Sequence, residues 1–180
     1  MLLFFDVETT GLPKNYKAHY SEVNNWPRVV QLSWLVSDDM GNIINESDNI
    51  IKPEGFSIPL EASKIHHITD DIANEKGKDL ADVLNDFLAN VEKSKLIVCH
   101  NIGYDMPILQ CELYRKNLNA KITIPKFCTM KNSTDFCQLP GNYGYKWPKL
   151  EELYYECFNI EMLDVRNAMA DVMATYECYF

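Results

Sequence analysis

The chain has 180 residues, 47% hydrophobic and 12% aromatic, with a net charge of −9 from 17 basic and 26 acidic side chains. That length predicts one domain over 1–180 with enough apolar material for a sizeable core. The acidic balance argues against a broad basic face for duplex binding, and no apolar run approaches the roughly 18 residues of a membrane span, so a cytoplasmic protein without membrane contact is expected.

Residues 2–7 read as a buried strand that ends in Asp6-Val7-Glu8. Residues 9–27 are polar and irregular, broken by Gly11, Pro13 and Pro27. Residues 29–37 and 43–51 have strand composition, and Asp38-Asp39-Met40-Gly41-Asn42 between them predicts a hairpin. Short helices are expected over 60–67 and after Thr69 as an N-cap. Leu80, Val83, Leu84, Phe87, Leu88 and Val91 repeat at threes and fours, which marks an amphipathic helix over 79–91. Residues 95–99 form a brief buried strand, and 105–116 a helix with Pro107 in its first turn. A short extended piece lies at 122–124, followed by Phe127-Cys128-Thr129-Met130. Residues 138–147 read as loop, Pro148 opens a helix to about position 157, and 166–179 form the last helix. Strands and helices in this order predict an α/β sheet with an antiparallel edge and parallel additions.

The six cysteines, at 99, 111, 128, 137, 157 and 178, show no C-x-x-C and no zinc spacing, and read as buried thiols. Five lysines but only one acid, Asp135, lie between positions 121 and 149, interleaved with Phe127, Phe136, Tyr143, Tyr145 and Trp147. Such a stretch suits either a single nucleic-acid strand or a solvated loop whose aromatics belong to the core.

The chemistry rests on four acids. A strand alternates its side chains, so Asp6 and Glu8 share a face. Two carboxylates there repel each other, and a divalent cation is the usual remedy. Asp105 follows the 95–99 strand at a strand-to-helix junction, within His100-Asn101-Ile102-Gly103-Tyr104-Asp105. Asp171 stands among uncharged neighbours in the last helix. These three places can converge at one edge of an α/β sheet, where four carboxylates could hold two divalent ions for phosphodiester hydrolysis.

The order Asp6-Val7-Glu8-Thr9-Thr10-Gly11, then His100-Asn101-x-x-Tyr104-Asp105, then Asn167-Ala168-x-Ala170-Asp171 resembles the DnaQ-like (DEDD) 3′–5′ exonucleases. Pro27-Arg28-Val29-Val30-Gln31-Leu32, Ile65-His66-His67-Ile68-Thr69 and Trp147-Pro148-Lys149-Leu150 are similar as well, so the resemblance covers nearly the whole chain. It implies a ribonuclease H-like fold with a five-stranded mixed sheet flanked by helices. It implies Mg or Mn held by Asp6, Glu8, Asp105 and Asp171. The implied substrate is a single-stranded 3′ end, DNA favoured, and proofreading relatives of the epsilon type imply a DNA polymerase as partner. By the same resemblance Thr9, Gly11, Leu12, His66 and Asn101 would contact the terminal nucleotide, with Leu12 wedging at its base.

One position departs from the pattern. The His-bearing branch has its general base five residues before the last Asp, and Arg166 stands there; the Tyr-bearing branch uses the position of Asn167. A guanidinium does not take a proton from water. The enzyme is then slow, or Arg166 binds phosphate while another group accepts the proton, or the chain binds without cutting. His66 and His67 are weak candidates for that acceptor, His100 reads as a structural hydrogen-bonding residue, and His19 has no assignable role. The alternative class is an exonuclease-like domain that binds nucleic acid or a polymerase. A nucleotide-sugar or dinucleotide enzyme lacks its Gly-rich phosphate loop here.

Overall fold

The computed structural model describes residues 1–118, 120–162 and 167–180. Strand β1 (Leu2–Thr9) pairs antiparallel with β2 (Val29–Ser37), which pairs antiparallel with β3 (Ile43–Ile50). The β2–β3 turn forms around Asp38, whose Oδ1 accepts the N–H groups of Met40 and Asn42 at 2.8 and 2.9 Å. Helices α1 (Leu60–His66), α2 (Asp70–Lys76) and α3 (Leu80–Glu92) follow. Thr69 and Asp79 cap α2 and α3 by accepting from Ile72 and Asp82. Strand β4 (Leu96–Cys99) lies parallel to β1, helix α4 (Ile102–Arg115) crosses over, and β5 (Lys126–Cys128) lies parallel to β4. The sheet order is β3-β2-β1-β4-β5. The remaining elements are α5 (Thr129–Asn132), α6 (Thr134–Cys137), a small hairpin of β6 (Pro140–Gly141) and β7 (Gly144–Tyr145), α7 (Leu150–Phe158) and α8 (Ala168–Tyr179). This is the five-stranded mixed α/β sheet flanked by helices that the sequence predicts. Among the described residues no helix is long and apolar enough to cross a membrane.

The two faces of β1 divide the core. Leu3, Phe5 and Val7 pack with α3 and α4, where Phe87 meets both Phe5 and Trp34 edge-on at centroid distances of 5.5 and 5.6 Å. Leu2 and Phe4 point the other way, onto Val172, Met169, Met173 and Tyr176 of α8. Asp6 and Glu8 continue that second face past the apolar pair, on either side of buried Val7. The period of two therefore carries them toward the start of α8.

Several local expectations change. Helix α4 begins at Ile102, three residues early, because Asn101 adopts a left-handed conformation (φ 66°) and turns the chain directly from β4 into the helix. Pro107 consequently lies in the second turn, where it forgoes only the bond to the Gly103 carbonyl. Positions 122–124 do not form a strand; the parallel partner of β4 is Lys126–Cys128, and Thr129 and Met130 are already helical. The loop over 138–147 contains the β6–β7 hairpin. Pro148 precedes the helix rather than opening it: α7 starts at Leu150, after Lys149 donates its N–H to Glu152 Oε2 at 2.8 Å. Of the six cysteines, 99, 111, 128 and 137 are buried and 157 and 178 half-buried, all as free thiols.

Candidate active site

Strands β1, β4 and β5 run parallel, so their carboxyl ends share one edge, the place where open α/β sheets hold ligands. Asp6 and Glu8 close β1 there. A bulge between Glu8 and Thr9, where Val30 of β2 is left unpaired, turns the chain out of the sheet immediately after the second acid. Asp105 arrives from the first turn of α4 and is 3% exposed. The buried Cys99 thiol donates to its Oδ2 at 3.2 Å.

Asp171 arrives from the first turn of α8. Asn167 caps this helix by accepting the Met169 N–H at 2.9 Å. Gln31, the cross-strand neighbour of Glu8, accepts the Ala168 N–H at 3.3 Å and donates to Asp48 at 2.7 Å. That bond ties the start of α8 to the strand beside Glu8, and so aims Asp171 at the acid pair.

Ligand atoms of Asp6, Glu8 and Asp171 all lie within 4.8 Å of one another, and the same holds for Asp6, Cys99 and Asp105. Four carboxylates from three elements thus meet around Asp6. Burial raises its pKa well above the usual carboxylate range, and the charges of Asp105, Asp171 and Glu8 raise it further. Asp105 is pushed up to about 7, chiefly by burial, while the Cys99 thiol and the N–H groups of Asp105 and Val7 pull it back. Like charges this close resist simultaneous ionisation. Hard carboxylate oxygens suit Mg or Mn, so the donor set has what is needed to chelate a divalent ion.

A short turn lies against the acids. Thr9 Oγ1 donates to the Gly11 carbonyl at 2.8 Å, and the Tyr104 hydroxyl reaches the same carbonyl at 2.9 Å and Thr9 Oγ1 at 2.7 Å. Gly11 has φ +146°, which a side chain would rarely adopt. Leu12, next along, is 73% exposed. His66 is buried at the end of α1 with its ring toward the Thr9 backbone and no well-aligned hydrogen bond at Nε2; burial lowers its pKa. Asn101 is exposed at the head of α4. His100 is the structural residue expected: Nε2 donates to the Pro148 carbonyl at 3.1 Å, which leaves Nδ1 to accept from Thr129 at 3.0 Å. Arg166 lies outside the described residues.

A protein-family model for exonucleases, RNase_T, matches residues 3–179. The chain belongs to this exonuclease family. Its sequence is 34% identical over 109 residues to the DNA polymerase III subunit epsilon of Treponema pallidum (strain Nichols), covering 61% of this chain and 44% of the relative. The same subunit of Buchnera aphidicola subsp. Acyrthosiphon pisum (strain APS) is 29% identical over 130 residues, covering 71% of this chain and 50% of the relative. The chain spans about half the length of the curated relatives it matches. Among solved structures, E. coli Exonuclease I in complex with a dT13 oligonucleotide superposes with a TM-score of 0.77 at 21% identity, over 99% of this chain and 40% of that one. Its complex with a dA16 oligonucleotide superposes with a TM-score of 0.75 at 21% identity, over 98% and 39%. The fold is the DnaQ-like, ribonuclease H-like one.

Within this exonuclease fold, three side chains at the site carry no role that their local sequence announces. Cys99 reads as core, Gln31 as one polar residue in an apolar strand, and Tyr104 as part of a motif rather than as the brace of the Thr9–Gly11 turn. Tyr104, directly before Asp105, and Gln31, within Pro27–Leu32, lie in segments that resemble the family; Cys99 had no such signal.

Proposed function

We propose that the protein is a metal-dependent 3′–5′ exonuclease, His-branch-like in motif order, that hydrolyses phosphodiester bonds from the 3′ end of single-stranded nucleic acid, DNA favoured. The supporting observation is the meeting of Asp6, Glu8, Asp105 and Asp171 at the carboxyl edge of the sheet. These four would hold two divalent cations, Mg or Mn. When bound, such ions supply Lewis-acid stabilisation of the charge that develops on the phosphate and the leaving oxygen.

The chain's own residues would position the substrate. Asp6 and Glu8 sit on a central strand and are therefore rigidly spaced. Thr9 and Tyr104 hold the Gly11 backbone, so that Leu12 presents its exposed side chain to a terminal base. His66 would line the floor beside Thr9, and Asn101 would offer its amide from the head of α4.

Arg166 tempers this reading. A positioned general base is typically worth about 10²–10⁴-fold, and a guanidinium cannot serve as one. The proposal is therefore a slow enzyme, with the exonuclease-like domain that binds a strand or a DNA polymerase without cutting as the second reading. The test is release of nucleoside monophosphates from a 3′-labelled single strand in Mg and in Mn, by this chain and by Arg166→His. Slow release by the first, raised about 10²-fold or more in the second, is expected. No release from either, with both folded, leaves the binding reading.

A further inference from the structure

Within the lysine and aromatic stretch over 121–149, Phe127 packs against the core, but the other four aromatics do not. Tyr143 is fully exposed, and Phe136, Trp147 and Tyr145 are each more than half exposed. The rings are carried on a defined scaffold. In the β6–β7 hairpin Gly141 pairs with Gly144, and a side chain at Gly141 would meet the Gly144 carbonyl at 3.0 Å. Lys146 donates its N–H to the Leu139 carbonyl at 2.9 Å, which carries the pairing one step further. Lys131, from α5, places its ammonium 5.4 Å from the Trp147 ring centroid and makes no ion pair among the described residues. Lys146 and Lys149 pair with Glu152 and Glu151 of α7.

The location is as telling as the composition. The scaffold is fastened to the candidate active site by His100, which joins the Pro148 carbonyl and the Thr129 hydroxyl at the end of β4, five residues before Asp105. In the order β1-β4-β5, Asp6 and Glu8 close β1, Asp105 stands in the helix that follows β4, and Lys131 follows the end of β5. A strand with its 3′ end among the acids that left past β4 and β5 would come to Lys131 and the Trp147 ring beneath it. The chain as a whole carries −9, whereas 121–149 has five lysines to one acid; Lys146 and Lys149 are paired with Glu152 and Glu151, and Lys131 makes no ion pair among the described residues. Exposed rings interleaved with lysines fit unstacked bases on a charged backbone.

We infer that the hairpin over 140–147, with Lys131, is a stacking platform for the bases upstream of the 3′-terminal nucleotide of a single strand. This rests on the exonuclease reading for the position of the 3′ end. The occupant is a single strand, not a duplex: the rings need free base faces, which a duplex does not offer.

The test is binding in Ca²⁺ of a fluorescent thymidylate strand about twelve nucleotides long and of a trinucleotide. The wild-type chain is expected to prefer the longer strand. Trp147→Ala and Tyr145→Ala are each expected to reduce that preference about 5- to 100-fold, with Trp147→Phe recovering most of it. Lys131→Ala is expected to flatten the slope of log affinity against log salt by about 0.7. Thermal melting checks each fold, and Tyr143→Ser, at a fully exposed position, carries the test if Trp147→Ala misfolds. A length preference that survives these substitutions overturns the platform, as does an acidic protein ligand that competes better than the strand. Nucleotide release from the trinucleotide is scored separately. Cutting without a platform effect overturns this inference alone, and a platform effect without cutting supports it while overturning hydrolysis.

Discussion

The Cys99 thiol donates to Oδ2 of Asp105 across 3.2 Å, with both residues buried. A donor behind a carboxylate fixes its orientation and holds down its pKa, and removing such a partner typically costs about 10- to 100-fold in metal affinity or activity. Cys99→Val is expected to weaken Mn²⁺ binding within that range, and Cys99→Ser to stay within a few-fold of wild type. Equal Mn²⁺ affinity in Cys99→Val would show the contact to be packing alone.

A second buried acid has no part in the site but holds the segment that follows it. Glu112 is fully buried, and its Oε1 accepts from Arg28 Nε at 2.8 Å and the Val29 N–H at 3.0 Å and forms an ion pair with Arg115 Nη1 at 3.0 Å. Arg115 also donates to the carbonyls of Val23, Trp26 and Pro27. Arg28 and Thr10 exchange hydrogen bonds, so this cluster supports the turn beyond Glu8. Glu112→Ala takes the carboxylate from the half-buried Arg28 and Arg115 guanidiniums and strands the buried Val29 N–H, and is expected to cost about 1–3 kcal/mol in urea denaturation. A loss under about 1 kcal/mol would mean the cluster is solvated.

Stability should depend on pH through opposing groups: His100 and His66, lowered by burial, against Asp105 and Asp6, raised by it. Burial pushes His100 down to about 4 from its ordinary 6.5, so the unfolded chain binds more protons between those values. Its contribution is complete above the unfolded value and is lost as pH falls toward 4, by about 3 kcal/mol at most. Asp105 has the opposite sign: raised to about 7 from 3.8, it favours the metal-free fold at low pH and loses that contribution as pH rises through 7. The wild-type profile is therefore flattened between 4 and 6.5. In His100→Asn the larger histidine contribution is gone, and metal-free stability is expected to fall more steeply with rising pH between about 4.5 and 7.5 than in the wild type. A wild-type advantage over this variant that fails to grow with pH would contradict the neutral, hydrogen-bonded His100.

Much of this fold is legible where periodicity is strong. The hairpin of β2 and β3 stands out from its strand composition on either side of the Asp38–Asn42 turn, and α3 from its repeat at threes and fours. Strand β5 does not, because Lys126–Cys128 is set by parallel pairing with β4 rather than by any pattern of its own. The early start of α4 depends on one left-handed residue, Asn101, a backbone choice that composition does not announce. At the site, Asp6 and Glu8 are readable as a same-face pair from the period of two. Their meeting with Asp105 and Asp171 came from motif order, since residues so far apart carry no local sign of contact. The clamps that enforce the meeting, Gln31 on Ala168 and Cys99 on Asp105, are side-chain contacts whose partners the sequence does not announce, although Gln31 lies in a segment that resembles the family.

The central claim is that the four acids form one divalent-ion site, and calorimetric titration of Mn²⁺ into the metal-free protein tests it most directly. The wild-type chain should bind, and at about 100 times its dissociation constant the ion should add about 2.7 kcal/mol to stability, with binding that strengthens as pH rises because the raised pKa values of Asp6 and Asp105 make protons compete with the ion. Asp6→Asn and Asp171→Asn should each weaken binding at least about tenfold while remaining folded. Mn²⁺ binding of equal strength in wild type and both variants, or no binding by a folded wild-type chain, would contradict the site.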